Sequence, residues 1–284
     1  MLASQPTDAE FDRVIAVQPL GAGRYGAVID PGWGAPMGPN GGYLAAIAVR
    51  ALEAELDPAG ERRIRSLTCH FLRRPAEAPI EMRVEAVRSG RRMAFGRLSG
   101  FQDDREVLSA MAAFSVPGLP EVAAWAPAKP DVGPPPSGDD DWAPFDERMP
   151  ALMHRVRIAP RIGGRVFSGR ELAPGEAPAS GGWVELREPR GVDSAFVALC
   201  SDVWWPPALE PLTAPAGVPT VDLTIHFRAD LPPAGLPDQP LLGRFCTSAA
   251  AGGFIEEDGV VFAADGTLLA HSRQLALFVS LGAQ

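Results

Sequence analysis

One short segment of this chain occurs twice. Ser66-Leu67-Thr68-Cys69-His70-Phe71 reads against Asp222-Leu223-Thr224-Ile225-His226-Phe227, with four of six positions identical. Upstream of each copy lies one unusually apolar helical segment. Downstream come a proline-bearing turn, extended segments, and a closing strand of alternating residues, Glu106 to Phe114 in one case and Thr267 to Phe278 in the other. Agreement in the order of elements as well as in residues argues for duplication of one unit. Between Pro117 and Pro136 seven of twenty residues are proline, and Asp139-Asp140-Asp141 follows. Proline removes backbone donors, so this stretch is excluded from core sheet. The expected organisation is a first module over residues 1–118, a Pro/Asp-rich linker over 119–148 and a second module over 149–284.

The first apolar segment has a helix's punctuation. Asn40 is a good N-cap, Leu44, Ile47, Ala48, Ala51 and Leu52 recur at helical spacing, and Asp57-Pro58 stops the pattern. Ala45, Ala46 and Val49 make the opposite face small and apolar too, so the helix is expected to be buried on most sides. The second candidate, Val192 to Val203, is apolar all round through Ala195 to Cys200 and ends at Trp204-Trp205-Pro206-Pro207. After the first helix, Ile80, Met82, Val84 and Ala86 alternate with Glu81, Arg83 and Glu85. The turn Arg88-Ser89-Gly90-Arg91 then leads into Met93 to Phe101, as a half-buried antiparallel hairpin requires. Each helix precedes a run of strands, so the expected class is α+β with antiparallel sheet.

Composition closes off several alternatives. No apolar run approaches the roughly 18 residues of a spanning helix, and the stretch from Met1 to Asp12 is acidic, so neither a membrane partner nor a leader is expected, and a cytoplasmic location is. Cys69, Cys200 and Cys246 are odd in number and far apart, which argues against a disulfide framework or a metal site. The net charge of −9 argues against nucleic acid as a partner. Residues 1–118 carry 14 acidic and 14 arginine side chains, which leaves 21 acids against 12 bases beyond them. Gly41-Gly42 is followed by no Lys-Ser/Thr, so a nucleotide P-loop is excluded.

The segments Pro39-Asn40-Gly41-Gly42-Tyr43, Ser66 to Pro75 and the Glu85 to Arg97 hairpin resemble the N-terminal half of the acyl-CoA thioesterase II family. Ala198 to Asp202, Val221-Asp222-Leu223, Cys246 to Ala249 and Ala270 to Gln274 are similar to its C-terminal half. The resemblance implies a double hotdog, two tandem modules each with a long central helix wrapped by a curved antiparallel sheet. It implies hydrolysis of acyl-CoA to free fatty acid and CoA without a covalent intermediate or cofactor. The water is held by an Asp, a Thr or Ser and a Gln, which match Asp222, Thr247 and Gln274, with Ser248 as an alternative hydroxyl. It also implies assembly into dimers or tetramers.

Such hydrolysis needs a base, groups to aim the water, and donors for the developing oxyanion. Asp222 can be the base, while Gln274 and Thr247 can orient the water. Backbone N–H groups at the start of the Asn40 helix could meet the oxyanion, with Gly41 and Gly42 letting the substrate come close. In the repeat Ser66 stands at the place of Asp222 and Ala113 at that of Gln274, so one site per chain is expected. The CoA phosphates call for arginine forks, and Arg73 and Arg74 lie beside the first hexamer; Arg62-Arg63-Arg65 and Arg88-Arg91-Arg92 are the other clusters. Two readings compete with the hydrolase. One is a hotdog protein that binds an acyl thioester or hydrophobic ligand without cleaving it; the other is an enoyl-CoA hydratase using His226 with Asp222. His70 recurs at the place of His226 where no carboxylate stands, which favours a structural role for both.

Overall fold

The computed structural model describes residues 9–232 and 234–281. The first eight residues of the acidic N-terminal stretch lie outside that range, and none of the described helices is long and apolar enough to cross a membrane. Three α-helices are present among the described residues: α1 (Glu10–Val14), α2 (Gly41–Leu56) and α3 (Ser194–Cys200). Twelve strands follow one another across a single large sheet. They are β1 (Gln18–Gly21), β2 (Arg24–Val28), β3 (Arg63–Phe71), β4 (Pro79–Ser89), β5 (Met93–Gln102), β6 (Arg105–Ser115), β7 (Val156–Ile162), β8 (Ala179–Leu186), β9 (Thr220–Phe227), β10 (Leu241–Cys246), β11 (Phe254–Phe262) and β12 (Leu268–Leu277). Their order is β1-β2-β4-β5-β6-β3-β9-β12-β11-β10-β8-β7. Read outward from the centre, each half of the sheet has the same sequence of connections, so duplication is visible in the topology.

The two repeated hexamers are the central pair. β3 and β9 run antiparallel with Thr68 opposite Thr224, His70 opposite Asp222 and Ser66 opposite His226. Equivalent residues thus face each other only at the threonines, whose hydroxyls lie 3.0 Å apart, and the local two-fold relation passes between them. Leu67, Cys69, Leu223 and Ile225 point to the buried inner face and join the core around α2; His70 and His226 are exposed on the outer face.

α2 follows its sequence signals. The Asn40 side chain accepts from the Tyr43 N–H at 2.9 Å, and the helix ends at Leu56, immediately before Asp57-Pro58. Every residue from Gly42 to Val49 is buried, as the missing polar face required. The second helix departs from expectation: α3 has only 7 residues, so the layout does not have two long central helices. It begins where Asp193 accepts from the Phe196 N–H at 2.9 Å, and the chain turns away after Cys200 toward Pro206-Pro207, which cannot continue a helix. The Pro/Asp-rich stretch is seated rather than free. Val132 and Trp142 pack with Trp183, Leu242 and Phe262, and the Lys129 ammonium lies 5.2 Å from the Trp183 ring centroid.

Candidate functional site

α2 and α3 pack against each other, and the start of α2 meets the end of α3. At that junction the half-buried carboxyl of Asp202 gathers donors from several elements. Asn40 Nδ2 donates to its Oδ2 at 3.0 Å and to its main-chain oxygen at 2.8 Å, and the Gly42 N–H donates to Oδ2 at 3.0 Å. From the sheet, Gln274 Nε2 donates to Oδ1 at 3.2 Å. Burial pushes the Asp202 carboxyl up to about 6, against the pull of the Gly42 N–H, Gln274, the Gly41 N–H and Asn40.

Gln274 is buried on the inner face of β12 and its amide is fully engaged. Its Oε1 accepts from the Thr220 hydroxyl at 2.9 Å, and its Nε2 donates also to Glu257 Oε1 at 2.7 Å. Thr220 reaches this face because of a β-bulge in β9. The β9–β12 register slips between Thr220 and Asp222, so Thr220 pairs with Ala276 and Asp222 with Leu275. The same bulge recurs in β3, between Ile64 and Ser66.

Asp222, on the other side of the bulge, keeps the alternation of the hexamer. It lies on the outer face with Thr224 and His226, while Leu223, its neighbour, is the residue paired with Gln274. Asp222 and Gln274, expected to share a water, are therefore on opposite faces of the sheet. Thr247 is buried one residue beyond the end of β10, its N–H donating to Pro178 O at 3.1 Å, and its hydroxyl makes no hydrogen bond to Gln274; Ser248 is exposed. The hydroxyl that does meet Gln274 is that of Thr220. Of the expected site residues, the structure brings Asn40, Gly41, Gly42 and Gln274 together, around Asp202 rather than Asp222. His226 shares the outer face with Asp222, away from this junction, so that pair stands apart from the groups gathered around Asp202.

The two glycines have a different reason from the one expected. A Cβ on Gly42 would lie 2.7 Å from Leu199 O, and one on Gly41 would lie 2.9 Å from Asp202 Oδ2. They admit α3 and its carboxylate, and the Gly42 N–H expected for an oxyanion already donates to Asp202. Arg73 is exposed, with Nη1 donating to Glu106 O at 2.6 Å. Arg74 lies against Gly38, two residues before Asn40, at the approach to the junction. Arg62, Arg63 and Arg65 are taken up by Gly90 O, Gly60 O and Asp230.

At the other end of the helix pair the pseudo-symmetric place is built differently. There Ser194 Oγ donates to Glu53 Oε1 at 2.5 Å and Arg50 Nη2 to Asp193 Oδ2 at 2.5 Å. The sheet positions matching Thr220 and Gln274 hold Ile64 and Ala112, since Leu67 pairs with Ala112 as Leu223 pairs with Gln274. The residue at the place of Gln274 is thus Ala112 and not Ala113, the bulge having shifted the count. Either alanine leaves that end without the amide.

Two family descriptions cover this chain: the acyl-CoA thioesterase N-terminal domain over residues 29–115 and the acyl-CoA thioesterase C-terminal domain over residues 120–278. The chain belongs to the acyl-CoA thioesterase family. A hot-dog-fold protein of unknown function from Alicyclobacillus acidocaldarius superposes on this thioesterase-family chain with a TM-score of 0.84 at 24% identity, covering 96% of it and 99% of its own chain. A candidate thioesterase II from Thermobifida fusca is 26% identical, with a TM-score of 0.77 over 95% and 97% of the two chains. The acyl-CoA thioesterase II TesB2 of Mycobacterium marinum shares the fold at 21% identity, with a TM-score of 0.70 over 96% and 99%. No curated protein matches the chain by sequence.

Proposed function

We propose that this protein hydrolyses acyl-CoA thioesters by direct attack of water, with Asp202 as the base and Gln274 and Thr220 as the groups that aim the water. The observation that carries the reading is the hydrogen-bonded chain Asp202–Gln274–Thr220 at the N-terminus of α2. A water donating one hydrogen to Asp202 and the other to Thr220 Oγ1 or Gln274 Oε1 keeps a lone pair free for the thioester carbon. Hydroxide adds to the carbonyl as the proton passes to Asp202. Collapse of the tetrahedral intermediate breaks the C–S bond, and the departing thiolate takes that proton back. The positive end of α2, with the Gly41 and Gly42 N–H groups, favours negative charge both on Asp202 and on the developing oxyanion. Arg74, and Arg73 beside it, are the proposed contacts of the CoA phosphates.

The family supports acyl-CoA as the substrate class. The two family models, over residues 29–115 and 120–278, support a division into two halves. That these are hotdog modules over residues 1–118 and 149–284 joined by 119–148, and that the chain self-assembles, are part of the proposal, and sedimentation would read the assembly. The test of function is thiol release from a panel of acyl-CoA chain lengths, wild type beside Asp202→Asn, with Asp222→Asn as the control. Hydrolysis that survives in Asp202→Asn would sink this mechanism, and a wild type that releases no thiol from any chain length would sink the enzyme reading.

A further inference from the structure

Two carboxyl groups flank the Gln274 amide, and only one of them belongs to the proposed mechanism. Glu257, on β11, is 4% exposed, and its Oε1 takes the hydrogen of Gln274 Nε2 that does not go to Asp202. The two carboxyls are unequally served. Asp202 accepts from Asn40, the Gly41 and Gly42 N–H groups and Gln274. Glu257 accepts from Gln274 alone, and its Oε2 is buried without a hydrogen-bond partner. The titratable group facing it is Asp202, from the turn after α3; Asp258, its neighbour on β11, acts on it only through its charge from the exposed face. Thr247, one residue beyond the Cys246–Asp258 pair that ends the β10–β11 ladder, also has a buried hydroxyl without a hydrogen-bond partner. Two negative charges on either side of one buried amide repel each other, so a single charge settles where the donors are. That place is Asp202, and the proton stays on Glu257.

We propose that Glu257 is a positioning residue for the hydrolysis: as a buried neutral acid it holds one hydrogen of the Gln274 amide, which fixes the other toward Asp202 and the carbonyl toward Thr220. This rests on the thioesterase reading for its catalytic consequence, though not for its geometry. All three polar contacts of the amide are needed to fix both its plane and its orientation. Losing the Glu257 contact frees the amide to turn, and ionising Glu257 sets a second negative charge beside the base. Burial, reinforced by the charge of Asp202, holds the Glu257 carboxyl up to about 8 against the pull of Gln274. Ionisation therefore belongs to the alkaline side of neutrality.

The experiment is kcat and KM for an acyl-CoA from pH 5 to about 9.5 for wild type, Glu257→Gln and Glu257→Leu. Glu257→Leu is expected to lower kcat on the order of 10- to 100-fold with KM little moved, the signature of a misaimed water rather than lost binding. Glu257→Gln, whose carbonyl accepts the same bond without a charge, is expected to restore turnover relative to Glu257→Leu and to abolish the wild-type decline above pH 8. Wild-type kcat in Glu257→Leu at every pH, or an unaltered alkaline limb in Glu257→Gln, would overturn the proposal. Should Glu257→Leu not fold, the Glu257→Gln profile decides alone. The Gln274 side-chain amide resonances, identified by their loss in Gln274→Ala, give a reading independent of turnover. They are expected to titrate with a midpoint near 8 in wild type and not in Glu257→Gln. Resonances that do not move with pH in wild type would overturn the positioning role even if the protein hydrolysed nothing, whereas absent thiol release alone would overturn only the thioesterase reading.

Discussion

Asp202 and Asp222 are both aspartates near the centre of the second half of the chain, and their surroundings separate them. Asp202 is the carboxylate that Asn40, Gly42 and Gln274 converge on; Asp222 stands on the outer face opposite His70. Replacing Asp202 by Asn is expected to lower kcat on the order of 10²- to 10⁴-fold, the usual contribution of a positioned general base, with the circular dichroism spectrum retained. Asp222→Asn is expected to stay within about 2-fold of wild type, as surface substitutions away from such features do. With Asp202 pushed up to about 6, kcat/KM is expected to fall as pH drops below that value, because the base is then protonated. A profile flat down to pH 4 would remove Asp202 from the role. The alternation Leu223, Ile225, Phe227 already turns Asp222 outward, so its side was legible from the hexamer itself. Asp202 was harder to see, because what makes it a base is the convergence of α2, α3 and β12, which no local spacing encodes. The carboxyl of Glu257 and the hydroxyl of Thr220 were missed for the same reason, each on a strand whose partner lies far along the chain.

At the scale of elements, the site depends on how closely α3 approaches α2. Gly42 sits under Leu199 O and Ala198 O, which a Cβ would meet at 2.7 and 3.0 Å, and these are backbone atoms that cannot rotate aside. Gly42→Ala is expected to cost about 1–3 kcal/mol of stability, the ordinary range for overpacking, and to lower kcat more than KM, since the helix pair must part where Asp202 is held. Chemical denaturation and steady-state kinetics on the one variant would read both, and equal stability to wild type would contradict the close approach. The Asn40 cap, the length of α2 and its burial on all sides followed directly from residue spacing, because capping and periodicity are local. The shortness of α3 did not. The apolar run continues to Val203, and the chain leaves the helix after Cys200 to bring Asp202 to the Asn40 cap, a tertiary demand that overrides helical pattern. The bulge in β9 was equally hidden, since one inserted residue leaves composition unchanged while reversing the face of everything before it.

The molecule as a whole is a duplicated sheet whose two halves meet at Thr68 and Thr224, and the repeated hexamer announced that symmetry. Its polar asymmetry lies at the two ends of the helix pair, where Thr220 and Gln274 face Ile64 and Ala112 across the pseudo-dyad. That asymmetry has a thermodynamic consequence. Burial raises both Asp202, to about 6, and Glu257, to about 8, above the roughly 4 of an unfolded carboxyl. Between about pH 4 and pH 8 the unfolded chain has therefore released protons that the folded chain still holds, and by linkage stability falls as pH rises through that window, levelling above 8. Asp193, held down to about 2 with burial opposed by Arg50 and Arg190, acts in the opposite sense, and its contribution is lost only as pH falls below about 4. The two effects occupy different pH ranges and can be separated. The double variant Asp202→Asn, Glu257→Gln is expected to match wild type in Tm near pH 4.5 and to exceed it progressively up to pH 8.5, by about 5–10 °C for a gain of a few kcal/mol. Calorimetry across that range decides the matter: a Tm difference independent of pH would mean that the folded protein does not hold these protons, and that the carboxyl pair at the helix junction is ionised together.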